Sequence, residues 1–202
     1  MYIPSFNKFD NKQEVIAFMQ RYSFATIVTV KDGLPVATHL PFLVVQNDDK
    51  IILKAHFAKA NPQAKDCIDQ KALVIFTEPH AYISPKNYEK EENVPTWNYL
   101  AVHAYGTCTL LDDEDKAGLL KDTISNFEKD YLKQWDALTD DYKQKMMKGI
   151  VAFEIVVDDL QAKAKLSQNR SEKEQESIIN DLSHAQNTVE QETANYMKAL
   201  KR

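Results

Sequence analysis

Phe24-Ala25-Thr26-Ile27-Val28-Thr29-Val30-Lys31-Asp32-Gly33-Leu34-Pro35-Val36 is the stretch on which the fold turns. Phe24 to Val30 is rich in β-branched residues, which suit a pleated, half-buried strand. Lys31-Asp32-Gly33 supplies hairpin chemistry, because an Asp-Gly pair tolerates the positive φ of a tight loop. Val36 to Val45 then reads as the returning strand. Further on, Gln46 to Lys50 is a second polar turn, Ile51 to Phe57 a third strand, and Ala72 to Thr77 a fourth after an intervening helix. Strands in such quick succession predict antiparallel pairing.

Upstream of the hairpin, Asn11 is a candidate cap for a short helix carrying Val15, Ile16, Phe18 and Met19. Downstream, a polar loop between Ser84 and Thr96 holds Lys86, Glu89, Lys90, Glu91 and Glu92, and its length suits function or mobility. Trp97 to Leu111 follows as a long strand. Asp112 or Asp113 starts a helix in which Leu119, Leu120, Ile124 and Phe127 recur at helical spacing, predicting one buried face. Ile150 to Val157 closes the set of strands. From Ser171 onward the chain is polar with a thin stripe of Ile178, Ile179, Leu182, Val189, Tyr196, Met197 and Leu200, predicting one or two surface helices. About six strands joined as hairpins predict an α+β barrel or sheet rather than a doubly wound fold.

A chain of 202 residues with 44% hydrophobic content can bury a single core. Met1-Tyr2-Ile3-Pro4 runs quickly into Lys8 and Asp10, without a basic and then apolar leader, and no stretch reaches membrane-spanning length. A cytoplasmic protein with no membrane association is expected. Cys67 and Cys108 are not in a C-x-x-C arrangement, so two buried free thiols are expected in place of a disulfide framework. His39, His56, His80, His103 and His184 show no metal-ligand spacing, and no metal is expected. A net charge of −5 weakens nonspecific attraction to nucleic acid, so DNA binding would need a local basic patch. The four glycines, Gly33, Gly106, Gly118 and Gly149, leave no glycine-rich phosphate loop.

Four passages carry candidate chemistry. In His56-Phe57-Ala58-Lys59-Ala60-Asn61-Pro62-Gln63 a strand gives way to a helix, with Asn61 as N-cap and Pro62 at the first helical position. Free backbone N–H groups beside Lys59 and His56 would suit a phosphate. An ordinary capped helix with a solvated lysine accounts for the same residues. Thr38 and His39 lie on the preceding strand and could reach the same phosphate or a ring, although strand histidines are usually satisfied by a neighbour. Val94-Pro95-Thr96-Trp97-Asn98-Tyr99 combines an aromatic plane with an amide, as a flat heterocycle with carbonyl and imide edges requires; a core Trp and a turn Asn would look alike. Lys165-Leu166-Ser167-Gln168-Asn169-Arg170 is a basic turn before a capping box of Ser171 and Glu174, so Lys165, Gln168 and Arg170 could face a ligand.

Taken together, Met1-Tyr2-Ile3-Pro4 with Phe6, Ala37 to Phe42, His56 to Gln63, Tyr82 to Pro85, Val94 to Tyr99 with Val102-His103 and Gly106, and Lys165 to Arg170 resemble the PaiB family of FMN-binding negative transcriptional regulators. That family is similar in fold to the pyridoxamine-phosphate-oxidase-like flavin proteins. The resemblance implies a six-stranded antiparallel split β-barrel with flanking helices and a helical C-terminal extension. It further implies a homodimer binding FMN between its subunits, a flavin-binding domain over residues 1–165, and a segment over 166–202 packing on the barrel or the partner subunit. By the same resemblance the phosphate is held near Thr38, His56, Lys59 and Asn61. The ring lies near Trp97, Asn98, His103 and the Lys165 to Arg170 turn, partly from the second subunit. The loop after Ser84-Pro85 departs from the family pattern, with Lys86-Asn87-Tyr88 where members often carry an aromatic pair.

Three functional classes follow. The first is a flavin-gated regulator acting on a DNA or protein partner, although no helix-turn-helix is recognisable. The second is a flavin-dependent oxidoreductase, in which the cofactor carries electrons and His39 or His103 would move a proton. The third is a binding module for another planar anion such as haem or a nucleotide.

Overall fold

A computed structural model describes residues 1–200 of the chain. Lys201 and Arg202, the end of the expected C-terminal segment, lie outside the described residues. The strands are β1 (Phe24–Lys31), β2 (Leu34–Pro41), β3 (Leu43–Asn47), β4 (Lys50–Ala58), β5 (Lys71–Ile83), β6 (Thr96–Leu110) and β7 (Ile150–Lys165). The helices are α1 (Lys12–Arg21), α2 (Gln63–Asp66), α3 (Asp113–Phe127), α4 (Leu132–Ala137), α5 (Asp140–Met147), α6 (Glu172–Ser183) and α7 (Thr188–Leu200). One sheet runs in the order β2-β1-β5-β6-β7-β4-β3.

The β1–β2 hairpin forms as the sequence predicts. Asp32 and Gly33 both take positive φ, 50° and 78°, and Lys31 pairs with Leu34 across the turn. The expected single strand from Val36 to Val45 is instead two, which is why the sheet has seven strands among the described residues where six were expected. Pro41 ends the pairing with β1 opposite Phe24 and has no N–H to carry a ladder onward. Phe42 then leaves the strand: its N–H donates to the Ser23 carbonyl at 2.8 Å, and its ring is fully buried edge-on to Phe76 and Phe153. β2 and β3, one residue apart in the chain, therefore occupy opposite edges of the sheet.

β5 and β7 outrun their apolar cores. Each continues through polar residues, Glu78 to His80 and Asp158 to Asp159, so a boundary drawn where hydrophobicity stops falls short. Asn11 caps α1, its side-chain oxygen accepting from the Gln13 and Glu14 N–H groups. α3 starts from an Asp112 cap as expected. Its apolar face is only partly covered, because Leu119 is buried while Phe127 is 56% exposed.

The chain divides into two compact units. One comprises Ile16–Phe76 and His103–Leu160 and has an aromatic core in which Phe57 stacks on Phe153 at 4.9 Å. Gly106 belongs here: a Cβ at this position would collide with the Val156 carbonyl oxygen and the Ile155 side chain, so only glycine lets these strands approach. The other comprises Met1–Val15, Thr77–Val102 and the chain from Gln161 on. It contains the α6–α7 hairpin, which buries Ile178, Leu182, Ala194 and Met197.

Candidate functional site

In the first unit the structure joins Thr38 to Asn61 through a residue outside the predicted set, Gln63. The Thr38 hydroxyl donates to Gln63 Oε1 at 2.5 Å and accepts from Asn61 Nδ2 at 3.1 Å. Asn61 Oδ1 accepts the Gln63 N–H at 3.0 Å, the capping bond expected of this asparagine. Gln63 Nε2 donates to the Thr29 hydroxyl at 3.0 Å and the Val36 carbonyl at 3.1 Å, and the side chain is 1% exposed. A polar group so deeply buried is kept only because its bonds are made, and it pins both Thr38 and Asn61. Sequence marked Gln63 only as the end of a motif, since nothing in one sequence reveals that a glutamine will be buried. The helix that follows, α2, is a single turn and contributes little dipole to the cradle.

Lys59 is exposed at the end of β4, and among the described residues it forms no ion pair. His56 is half-buried on β4, and burial lowers its pKa below the ordinary histidine value, so it is neutral at neutral pH. His39 parts from Thr38. Successive strand residues face opposite sides, and His39 lies on the outer face of the hairpin, with Nδ1 2.8 Å from the Thr26 hydroxyl and its ring stacked on Phe24. The two side chains therefore lie on opposite faces of β2. His103 is half-buried with Nδ1 unpartnered and sits edge-on to Tyr105; burial lowers its pKa as well.

In the second unit the predicted ring residues gather at the end of β7. The Lys165 ammonium donates to the Thr96 hydroxyl and, at 2.8 Å, to the Trp97 carbonyl, while burial lowers its pKa. Gln168 closes its own turn, Oε1 accepting the Leu166 N–H at 2.7 Å and Nε2 donating to the Ala164 carbonyl. Arg170 lies 3.8 Å over the Tyr88 ring and donates to Asn93 Oδ1 at 2.8 Å. The polar loop after Ser84 is thus tied down: the Glu89 carboxylate also takes bonds from Lys173 and Ser171, which hold it below the usual range. Ser171 and Glu174 complete the expected capping box.

Trp97 and Asn98, adjacent on β6, have opposite environments. Trp97 is 53% exposed beside His80 and Tyr82. Asn98 is fully buried, Oδ1 accepting from the Ser167 hydroxyl at 3.0 Å and Nδ2 meeting Met197 Sδ. Its amide is spent on bracing the turn, so the donor and acceptor edges expected to meet a ring are turned inward. Among the described residues no three His, Cys, Asp or Glu side chains converge on a metal position, and no helix is long and apolar enough to cross a membrane.

An unpaired exposed lysine beside a fixed hydroxyl and amide suits a phosphate, and an exposed tryptophan suits a planar ring. The model of the family described as "Putative FMN-binding domain" matches residues 1–159. The chain belongs to that family. Membership in the FMN-binding domain family makes FMN the cofactor of this chain. A curated relative, "Protease synthase and sporulation protein PAI 2" of Bacillus subtilis, is 42% identical over 203 residues, covering 98% of this chain and 97% of that protein. Two solved structures are similar in fold. The FAD and heme binding protein from Mycobacterium smegmatis is 18% identical, with a TM-score of 0.61 over 77% of this chain and 71% of that one. The flavocytochrome Anf3 from Azotobacter vinelandii is 14% identical, with a TM-score of 0.58 over 76% of this chain and 67% of that one. The fold is of the split-barrel class, with the seven strands described above.

Proposed function

We propose that the chain is a homodimeric, PaiB-like negative regulator of transcription, in which bound FMN biases the dimer toward or away from a DNA or protein partner. The observation that carries the flavin half is the cradle of Thr38, Asn61 and Gln63 beside an unpaired Lys59. Asn61 Nδ2 keeps a second N–H and Lys59 its ammonium for the FMN phosphate, while Thr38 and Gln63, their protons committed to one another and to the sheet, hold Asn61 in place. His56 adds a neutral imidazole. Trp97, Lys165 and Arg170 serve the ring, and Asn98 and Gln168 hold that turn in shape. The regulator half draws support from the likeness to PAI 2. Residues 1–165 form the flavin-binding part, and the C-terminal segment over 166–202 packs on the barrel or on the second subunit.

The homodimer draws on the outer face of the β1–β2 hairpin. A one-sided antiparallel sheet ordinarily turns a polar face to water, yet here Phe24 and Val30, in phase on β1, are 71% and 62% exposed. A second copy would cover them. A cytoplasmic setting suits two cysteines that are free and buried.

The test is the visible absorption spectrum of purified protein before and after adding FMN and dialysing, followed by gel shift in each flavin state. Retained, resolved flavin bands are expected; a colourless protein that refuses FMN would sink the reading. Absence of salt-sensitive DNA binding in every flavin state removes the DNA partner and leaves a protein one. A second reading, a flavin-dependent oxidoreductase, is favoured by the unpartnered Nδ1 of His103, a group free to hold a proton at the site. There the flavin would supply the electron transfer, and bleaching of bound FMN by NADH or NADPH distinguishes the two.

A further inference from the structure

Cys67 and Cys108, unused by the flavin reading, meet in the interior of the first unit. Their Sγ atoms lie 3.3 Å apart and share a hydrogen bond across a sequence separation of 41. Both are fully buried and neither is bridged. A disulfide bond is about 2.05 Å long, so the sulfurs need to approach by only roughly 1 Å more. Paired backbone keeps them together: Asp69 N–H donates to the Cys108 carbonyl at 2.8 Å, Cys108 N–H donates to the Gln70 carbonyl at 3.0 Å, and Ile68 bridges Cys108.

We propose that Cys67 and Cys108 form a reversible dithiol–disulfide pair, oxidised by hydrogen peroxide, whose closure is transmitted through α2 to Thr38 and Asn61. The Cys67 thiolate attacks one peroxide oxygen; the O–O bond breaks, hydroxide leaves and is protonated to water, and Cys67 becomes a sulfenic acid. Cys108 sulfur then attacks Cys67 sulfur; the S–O bond breaks, and hydroxide leaves with the Cys108 proton as a second water. Two thiols thus lose two electrons and two protons, and one peroxide becomes two waters. The order follows from the shared proton. The Cys108 S–H donating to Cys67 pulls the Cys67 pKa below the ordinary thiol value, while the same bond together with burial pushes Cys108 up. Asp69 and Gln70 are exposed in the adjoining turn, and local opening of that turn is the route the proposal requires for peroxide to reach the buried sulfurs.

The link to the cradle is short and runs through hydrogen bonds. Cys67 N–H donates to the Gln63 carbonyl at 2.9 Å at the end of the single helical turn, and the Gln63 side chain holds Thr38. Drawing Cys67 toward Cys108 pulls on that turn. This half of the proposal rests on the flavin reading; the pair itself does not.

The test treats the full chain with dithiothreitol or with hydrogen peroxide, removes the peroxide with catalase, then denatures and alkylates. Two alkylated thiols are expected after reduction and none after peroxide, with an intrachain loss of two hydrogens by intact mass that dithiothreitol reverses. FMN affinity is expected to differ between the two forms by about fivefold or more, and Cys108→Ala, alkylated once, is expected to show no such change. Two alkylatable thiols after peroxide, or a bridge only between two chains, overturns the pair. An intrachain disulfide with unchanged FMN affinity overturns the link. FMN refused by both forms sinks the flavin reading instead. The pair is then judged on the alkylation count, and the link on whether oxidation slows hydrogen exchange at the Gln63 to Gln70 amides.

Discussion

Thr38 and His39 are neighbours in the chain and face opposite sides of β2, and that alternation decides which of them joins Asn61 and Gln63. Thr38 faces Gln63 and Asn61, and His39 faces Thr26 and Phe24. The same alternation on β6 exposes Trp97 and buries Asn98. Turn and cap chemistry is written locally and was legible, as in the Asn61 cap; which of two neighbours faces inward depended on register, which a motif does not carry. Replacing Lys59 with alanine is expected to weaken FMN binding about tenfold by removing one charge-assisted bond. The melting temperature should stay put, since the side chain is exposed and bonds nothing among the described residues; flavin titration and a thermal melt read the two effects. Gln63→Leu should behave differently. It strands the buried Thr29 hydroxyl and Val36 carbonyl and frees Thr38, for a loss of about 2 kcal/mol in urea unfolding, with weaker FMN binding as well.

At the level of elements, the hairpin, the caps of α1 and α3 and the capping box of α6 were all legible, because each rests on residues within a few positions of one another. The split of one expected strand at Phe42 was not. Nothing local distinguishes a phenylalanine that continues a strand from one that turns into a core made by Phe76 and Phe153. The loop after Ser84 was expected to suit function or mobility; its ion pairs with α6, Glu89 to Lys173 and Lys86 to Asp181, and the Arg170 hydrogen bond to Asn93 hold it down. One of these contacts has a pH signature. The Lys86 ammonium, aided by Asn87, holds Asp181 of α6 below the ordinary aspartate value. The folded pKa is depressed, so the stabilisation is complete above the unfolded value near 3.9 and is lost as pH falls through the folded one. Acid melts should therefore separate wild type from Asp181→Asn at neutral pH and bring them together at the acid end; a difference independent of pH would refute the assignment.

For the whole molecule, the decisive quantity is association. Phe24 and Val30 present an apolar surface on the outer face of β1. Sedimentation equilibrium is expected to return twice the chain mass for wild type and the single-chain mass for Phe24→Asp with Val30→Asp. A wild-type monomer at micromolar concentration would remove the dimer. The meeting of Cys67 with Cys108 belongs to this scale too, and sequence pointed away from it, because proximity across a sequence separation of 41 is a product of the assembled sheet. The strand order has its own consequence in time. β2 and β3 are parted by one residue yet end at opposite edges, and β4 finds its partner in β7, with Ile52 beside Val156. Much of the sheet cannot zip outward from the hairpin and must wait for distant segments to meet, so refolding from denaturant belongs among the slow, non-local cases, at about milliseconds to seconds.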